Sequence, residues 1–259
     1  MIRIAAAGDV HFDRKSHNRL AQHFSGLEDK ADVFLLAGDL TQTGHPEEMQ
    51  VLADDLSKCP VPVVAVLGNH DYHVDQVEKV TRILEEVGVT VLEQSSIILN
   101  INGQRVGIAG AKGFGGGFVG ACGSDFGENE MKAFMRHSKN GARELERVIK
   151  EMDVDYRIVL LHYSPTAQTL YGEKKEIYPF LGCYYLAEAV DYGNADIAFH
   201  GHAHGGVEKG ETPGHTPVRN VAQPVIRHAF NIYTLDKKRT TAEGDIGIND
   251  EAANQMIFN

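Results

Sequence analysis

The chain is poor in the residues that would assign it to several common classes. It has three cysteines, Cys59, Cys122 and Cys183, an odd number, widely spaced and with no CxxC pair. That rules against a disulfide framework and a thiolate zinc site, and fits reduced thiols in a cytoplasmic protein. No apolar run approaches the roughly 18 residues needed to cross a bilayer, so a soluble protein without a membrane partner is expected. The first strand-like run, Ile2–Ala7, lacks the basic flank and cleavage site of a secretion signal. Lys237, Lys238 and Arg239 form the only basic triplet in a chain of formal charge -11. Extended nucleic acid, itself a polyanion, is therefore a disfavoured partner.

What is present is a repeated alternation of short apolar runs and helix-like stretches. Apolar runs fall at Ile2–Ala7, Val33–Ala37, 61–67, 106–109, 157–161 and 197–199. Several are apolar at consecutive positions, which suits central strands covered on both faces. Helices are expected at 18–27, 46–58, 74–87, 129–152 and Tyr184–Tyr192. Pro46 followed by Glu47 and Glu48 makes a good helix opening, and Gly88 a good stop. Such alternation argues for an α/β layered fold. Asn102-Gly103 between 97–101 and 105–108 marks a hairpin, and 217–222 and 229–235 read as late strands with no helix between them. A second, partly antiparallel sheet would absorb these. Length and the absence of a linker predict one domain over 1–239, followed by a tail or edge segment at 240–259.

The chemistry gathers where the strands end. Ile2–Ala7 runs into Gly8-Asp9-Val10-His11, and Val33–Ala37 into Gly38-Asp39. The run 61–67 leads to Gly68-Asn69-His70-Asp71, 157–161 to His162, and 197–199 to His200-Gly201-His202-Ala203-His204. In a parallel sheet these ends share one edge, the edge where open α/β folds bind ligands. One strand-end Asp or His is ordinarily a turn former or cap. Five ends carrying ligand types at the same structural position are not explained that way. The convergent set is Asp9, His11, Asp39, Asn69, His162, His202 and His204. Carboxylate, amide and imidazole without thiolate suit Mn, Fe or Zn, with Mn the first choice. Seven ligands exceed the needs of one tetrahedral ion but match two divalent ions sharing a bridging carboxylate.

The ordered motifs Asp9-Val-His11, Gly38-Asp39, Gly68-Asn69-His70-Asp71, His162 and Gly201-His202-Ala203-His204 resemble the calcineurin-like metallophosphoesterase family over roughly the first 205 residues. The resemblance implies a four-layer α/β/β/α sandwich of two mixed sheets flanked by helices. It implies one metal on Asp9, His11 and His204, a second on Asn69, His162 and His202, Asp39 bridging, and His70 as a catalytic histidine that binds no metal. The activity implied is phosphomonoester or phosphodiester hydrolysis of a small or medium substrate, by attack of a metal-bridged hydroxide. Relatives often carry an Asp three residues after the bridging one. Here that position is Gln42, so the glutamine side chain is expected to hold His70. GDLTQTG and GNHD depart from the GDxVDRG and GNHE of protein Ser/Thr phosphatases. The alternative reading is a non-catalytic binding scaffold with this fold, a class that tends to lose the ligands present here.

Outside the motifs, His73 and His200 read as residues supporting the site, and 113–123 as a loop over the pocket or a long turn. The segment 163–181, with Tyr171, Lys174 and Tyr178, reads as a substrate-reading insert. Arg14 and Arg219 are candidate phosphate contacts.

Overall fold

The computed structural model describes residues 1–237 and 246–249. Its first sheet is built from β1 (Ile2–Ala7), β2 (Val33–Ala37), β3 (Val63–Val66) and the short β4 (Thr90–Val91), all parallel. The second holds the hairpin β5 (Ser95–Ile101) and β6 (Gln104–Ala111). The small hairpin of β7 (Gly117–Phe118) and β8 (Ala121–Cys122) stands apart from both sheets. Then come β9 (Tyr156–Leu161), β10 (Ile197–His200), β11 (Lys209–Glu211) and β12 (Pro217–Asn220), completing the order β11-β12-β10-β9-β6-β5. The chain returns to the first sheet through β13 (Asn231–Lys237), antiparallel to β1, and β14 (Ile246–Asn249). Most of the segment 240–259 lies outside the described residues.

Helices α1 (Pro46–Leu56) and α2 (Val77–Glu86) cover the first sheet. The 23-residue α3 (Asn129–Glu151), with the short α4 (Tyr178–Leu181) and then α5 (Tyr184–Tyr192), belongs to the second, and α6 (Gln223–Ile226) precedes β13. Strand alternation explains the layering. Ile2, Ile4, Ala6, Leu35 and Val64 meet Ile108, Ile158, Leu160 and Phe199 between the sheets. Their neighbours Ala5, Ala7, Phe34 and Leu36 pack outward on α1 and α2. On the far side Ala109, Val159, Leu161 and Ala198 pack on α3 and α5. Both faces are buried, hence the unbroken apolar runs. The result is the four-layer sandwich of two mixed sheets flanked by helices.

Three local expectations need correction. A short helix, α6, does stand between the late strands β12 and β13. No α-helix forms over 18–27; only a 3-10 turn, Ala21–His23, appears there. The buried Asp55 carboxylate on α1 accepts the main-chain N–H groups of Asn18, Leu20 and Ala21 at 2.8, 2.9 and 3.2 Å. Asn18 also sits at φ 60°. A tertiary acceptor for these amides replaces the helical one. The segment 113–123 is likewise not a plain loop, since it contains β7 and β8. Gly117 N–H donates to Gly182 O at 2.9 Å and Gly116 N–H to Pro179 O at 2.6 Å, tying it to the chain around α4.

Candidate metal centre

Because β1, β2 and β3 are parallel, as are β6, β9 and β10, their carboxyl ends lie along one edge of the sandwich. There the two sheets are stitched together. His162, one residue past β9, turns inward and places Nδ1 2.9 Å from the carbonyl oxygen of Ala37 at the end of β2. The main chain is bent hard at these ends. Asp9, His11, Asp39 and His202 all adopt the left-handed region, at φ 53°, 41°, 48° and 68°. For residues with a Cβ this costs on the order of 1–3 kcal/mol each, strain that persists only where the surroundings impose it. Close approach needs glycine beside them. A Cβ on Gly38 would fall 2.6 Å from His162 Nδ1, and one on Gly68 would overlap both the main-chain nitrogen and Oδ1 of Asp39.

All seven expected ligands meet here. Two sets of ligand atoms, each within 4.8 Å of one another, could hold a metal ion: Asp9, His11, Asp39 and His204, and then Asp39, His162 and His202. Asp39 belongs to both. Asn69 completes the second set, its Oδ1 lying 2.9 Å from His162 Nε2. His70 stands at the rim: its N–H donates to Asp39 Oδ1 at 2.8 Å, and its Nε2 lies 3.9 Å from Asp39 Oδ2. Its Nδ1 is 2.7 Å from the main-chain oxygen of Gln42. The partner of His70 is thus the peptide carbonyl and not the Gln42 side chain, which corrects the sequence expectation.

The donor set fits a cation on internal grounds. Burial drives His162 well below the ordinary imidazole range and His202 down to about 3, so both rings are neutral near pH 7. A neutral His162 has one proton for two nitrogens that both face oxygens. Ala37 O lies at Nδ1, while Asn69 Oδ1 at 2.9 Å and Asp39 Oδ1 at 3.3 Å lie at Nε2. With the proton on Nδ1, three acceptors point at one another, an arrangement that a cation satisfies. His11 is the second sign, because both its ring nitrogens are buried without a hydrogen-bond partner. His204 and Asp9 tell the same story as a proton-sharing pair. Burial raises Asp9 to about 6, and the 2.8 Å bond that His204 Nε2–H donates to Asp9 Oδ1 raises His204. A metal ion would replace that shared proton.

The other singled-out residues divide. His73 lines a cavity of about 220 Å³ with Gln42, Thr43, Asn69 and His70, beside the cluster. His200 does not reach it. On β10 the alternation that sends Ile197 and Phe199 between the sheets sends His200 outward, where Nε2 meets Thr169 Oγ1 at 2.8 Å and Nδ1 meets Gly201 O at 2.7 Å. The segment 163–181 does reach it: Phe180 O accepts from His202 Nε2 at 3.1 Å, and the Tyr163 ring packs against the His202 ring in a tilted pair at 4.3 Å. Tyr171 is exposed, and Tyr178 donates its hydroxyl to Leu170 O at 3.0 Å. Arg14 pairs with Glu47 at the surface, and Arg219 is buried near Glu208. Asp71 was missed by sequence reasoning. Fully buried, it accepts from the N–H groups of Leu40, Thr41 and Gly68 and from the Thr41 hydroxyl, locking the loop after β2 to the loop after β3.

Such a double ligand set, on the edge of an α/β/β/α sandwich, could hold two metal ions with Asp39 common to both. The chain belongs to the calcineurin-like phosphoesterase family, whose model matches residues 2–206. It is 26% identical over 207 residues to F40B5.2 of Caenorhabditis elegans, named as a metallophosphoesterase, covering 73% of this chain and 40% of that protein. It is 28% identical over 80 residues to the glycerophosphodiester phosphodiesterase GpdQ of Enterobacter lignolyticus, covering 26% of this chain and 29% of that one. The chain spans about half or less of the length of the curated relatives it matches. The crystal structure of the phosphopantetheinyl hydrolase PptH of Mycobacterium tuberculosis superposes with a TM-score of 0.62 at 16% identity, over 86% of this chain and 90% of that one, a likeness of fold. Among the described residues no helix is long and apolar enough to cross a membrane.

Proposed function

We propose that this chain hydrolyses phosphodiester or phosphomonoester bonds of a small to medium substrate at a centre of two divalent ions, with manganese the first candidate. The observation that carries this reading is Asp39, one buried carboxylate common to two sets of ligand atoms. In it, Asp9, His11 and His204 hold one ion, Asn69, His162 and His202 the other, and Asp39 both. A bound pair of this kind lowers the pKa of water and neutralises charge on phosphoryl oxygens. The protein's own groups do the rest. Ala37 O and Phe180 O fix the rings of His162 and His202 through the nitrogen each turns away from the centre. Gln42 O holds a proton on His70 Nδ1 and leaves Nε2 facing the substrate, so the doubly protonated ring would deliver its Nε2 proton to the departing oxygen and keep the one on Nδ1. Complete ligands together with His70 favour catalysis over a binding scaffold.

A single domain over 1–239 and a cytoplasmic setting belong to the same proposal. The three unpaired cysteines support the second, and the charge of -11 supports a small substrate over extended nucleic acid. A relative named for glycerophosphodiester hydrolysis, matched over 80 residues, supports a diester preference. The test is turnover of bis-p-nitrophenyl phosphate with added manganese against a chelated control. The expected result is turnover that chelator abolishes and manganese restores. His70→Asn should retain metal and lose about 10²–10⁴-fold in kcat. Absence of metal-dependent turnover on diesters and monoesters alike would overturn the reading.

A further inference from the structure

A cavity of about 540 Å³, within the size range of small-ligand sites, is lined by Tyr72, two residues after His70, and by Lys112, whose main chain is bonded to the His162 loop. Phe114, Phe134 and Leu186 line it as well. Two features of this cavity carry a cost that the packing around them does not explain.

The first is the Lys112 ammonium. Lys112 follows β6, and its main-chain oxygen accepts the N–H groups of both His162 and Tyr163, at 3.1 and 3.0 Å, so it is fixed to the metal-ligand loop. Its Nζ sits among three aromatic rings, 5.0 Å from Tyr72, 5.0 Å from Phe114 and 5.4 Å from Tyr163. Tyr163 in turn packs against His202 in a tilted pair. Ring faces attract a cation but leave its three N–H donors unused. Among the described residues the ammonium has no carboxylate within 4.0 Å, and its one hydrogen bond, to Gly113 O, is 3.4 Å long. Glu93 is bound to the Lys112 main-chain N–H instead, at 3.0 Å. The ammonium thus has donors to offer a ligand in this cavity, and it lies within Coulombic reach of Asp39.

The second is Gly141, in the middle of α3. Glycine inside a helix is unfavourable relative to alanine by roughly 0.8–1 kcal/mol, and packing does not demand it here. A Cβ at this position would meet only Gln94 Nε2, at an ordinary 3.5 Å. Gly141 lines the cavity, as do Ser138 and Ala142 on the same helix. Its missing side chain widens the chamber opposite the aromatic wall.

We propose that this cavity is the specificity pocket for the phosphate ester, taking a planar aromatic or heteroaromatic group of the substrate while Lys112 donates to an oxygen of the phosphoryl group. Aromatic rather than aliphatic occupancy follows from the wall. Phe114 and Phe134 stand 5.2 Å apart in a tilted pair, and Phe114 meets His137 edge-on at 4.7 Å, which offers ring faces and edges to a further ring. The inference rests on the phosphoesterase reading for the location of the phosphoryl end.

Phenylphosphonate and methylphosphonate, which resist hydrolysis, test it by calorimetry on the manganese-loaded protein. Wild type should bind phenylphosphonate about tenfold or more tightly than methylphosphonate. Gly141→Leu, which fills the chamber at a position with room for a Cβ, should bring that ratio below about threefold. Lys112→Met should weaken both ligands by about tenfold, and Lys112→Arg should restore most of that loss. A purely structural lysine would not give loss of both with rescue by arginine. A wild-type ratio below threefold, or a ratio that Gly141→Leu leaves unchanged, overturns the pocket. Phosphonate binding indifferent to Lys112→Met overturns the role of the lysine. Selective binding without hydrolysis of any ester would sink the proposed activity and leave the pocket standing.

Discussion

Gly68→Ala should disable the centre although residue 68 is not itself a ligand. A Cβ there would lie well inside 3.0 Å of both the Asp39 main-chain nitrogen and Asp39 Oδ1, a separation real Cβ atoms do not adopt. Neither neighbour is the free end of a flexible side chain. Asp39 is 1% exposed, and its Oδ1 already holds His70 N–H at 2.8 Å. Relief needs a displacement on the order of 1 Å, against a tolerance of about 0.2 Å for a metal–ligand distance. Because Asp39 is common to both ligand sets, both suffer together. A 1 Å misplacement at a reacting centre costs ~10²-fold in rate, so kcat/KM on bis-p-nitrophenyl phosphate at saturating manganese should fall at least that far. Calorimetric titration of the chelator-stripped variant should show both metal-binding events weakened. Activity within threefold of wild type, with metal affinity unchanged, would refute the claim that the Gly68–Asp39 contact sets the geometry.

Other expectations are open to simpler assays. Asp71→Asn should lower unfolding free energy by about 2–5 kcal/mol in urea denaturation, since an amide nitrogen must face the N–H groups of Leu40 and Gly68, now both unsatisfied. His200 is held neutral by burial, with its pKa lowered to about 3. Below about pH 6.5 the unfolded chain therefore binds a proton that the folded chain refuses. Stability from this group is complete above that pH and declines as pH falls toward 3, by about 1.4 kcal/mol per unit. In chelator, wild type should lose about 2 kcal/mol more than His200→Gln between pH 7.5 and pH 5; equal losses would remove His200 from the acid limb.

The strand ends were legible because most of them carry a ligand beside a glycine after an apolar run, and the fold's parallel strands bring such ends to one edge. Asp9, Asp39 and His202 also carry the left-handed backbone strain themselves, which no residue pattern announces. The face of His200 could have been read from parity with Ile197 and Phe199. By contrast, the missing helix at 18–27 depends on Asp55, more than thirty residues away. The partner of His70 was hidden for a different reason: a main-chain oxygen has no sequence signature, whereas the Gln42 side chain does. Lys112 was invisible too, since a lysine after a strand reads as a surface charge until three rings are seen around it.

The central claim is that one carboxylate serves two cations. Metal content of wild type and of Asp39→Ala, measured after dialysis against manganese, addresses it directly, with circular dichroism confirming that the variant is folded. Two equivalents per wild-type chain and fewer than one in the variant are predicted. One equivalent in wild type, or two retained without Asp39, would contradict it.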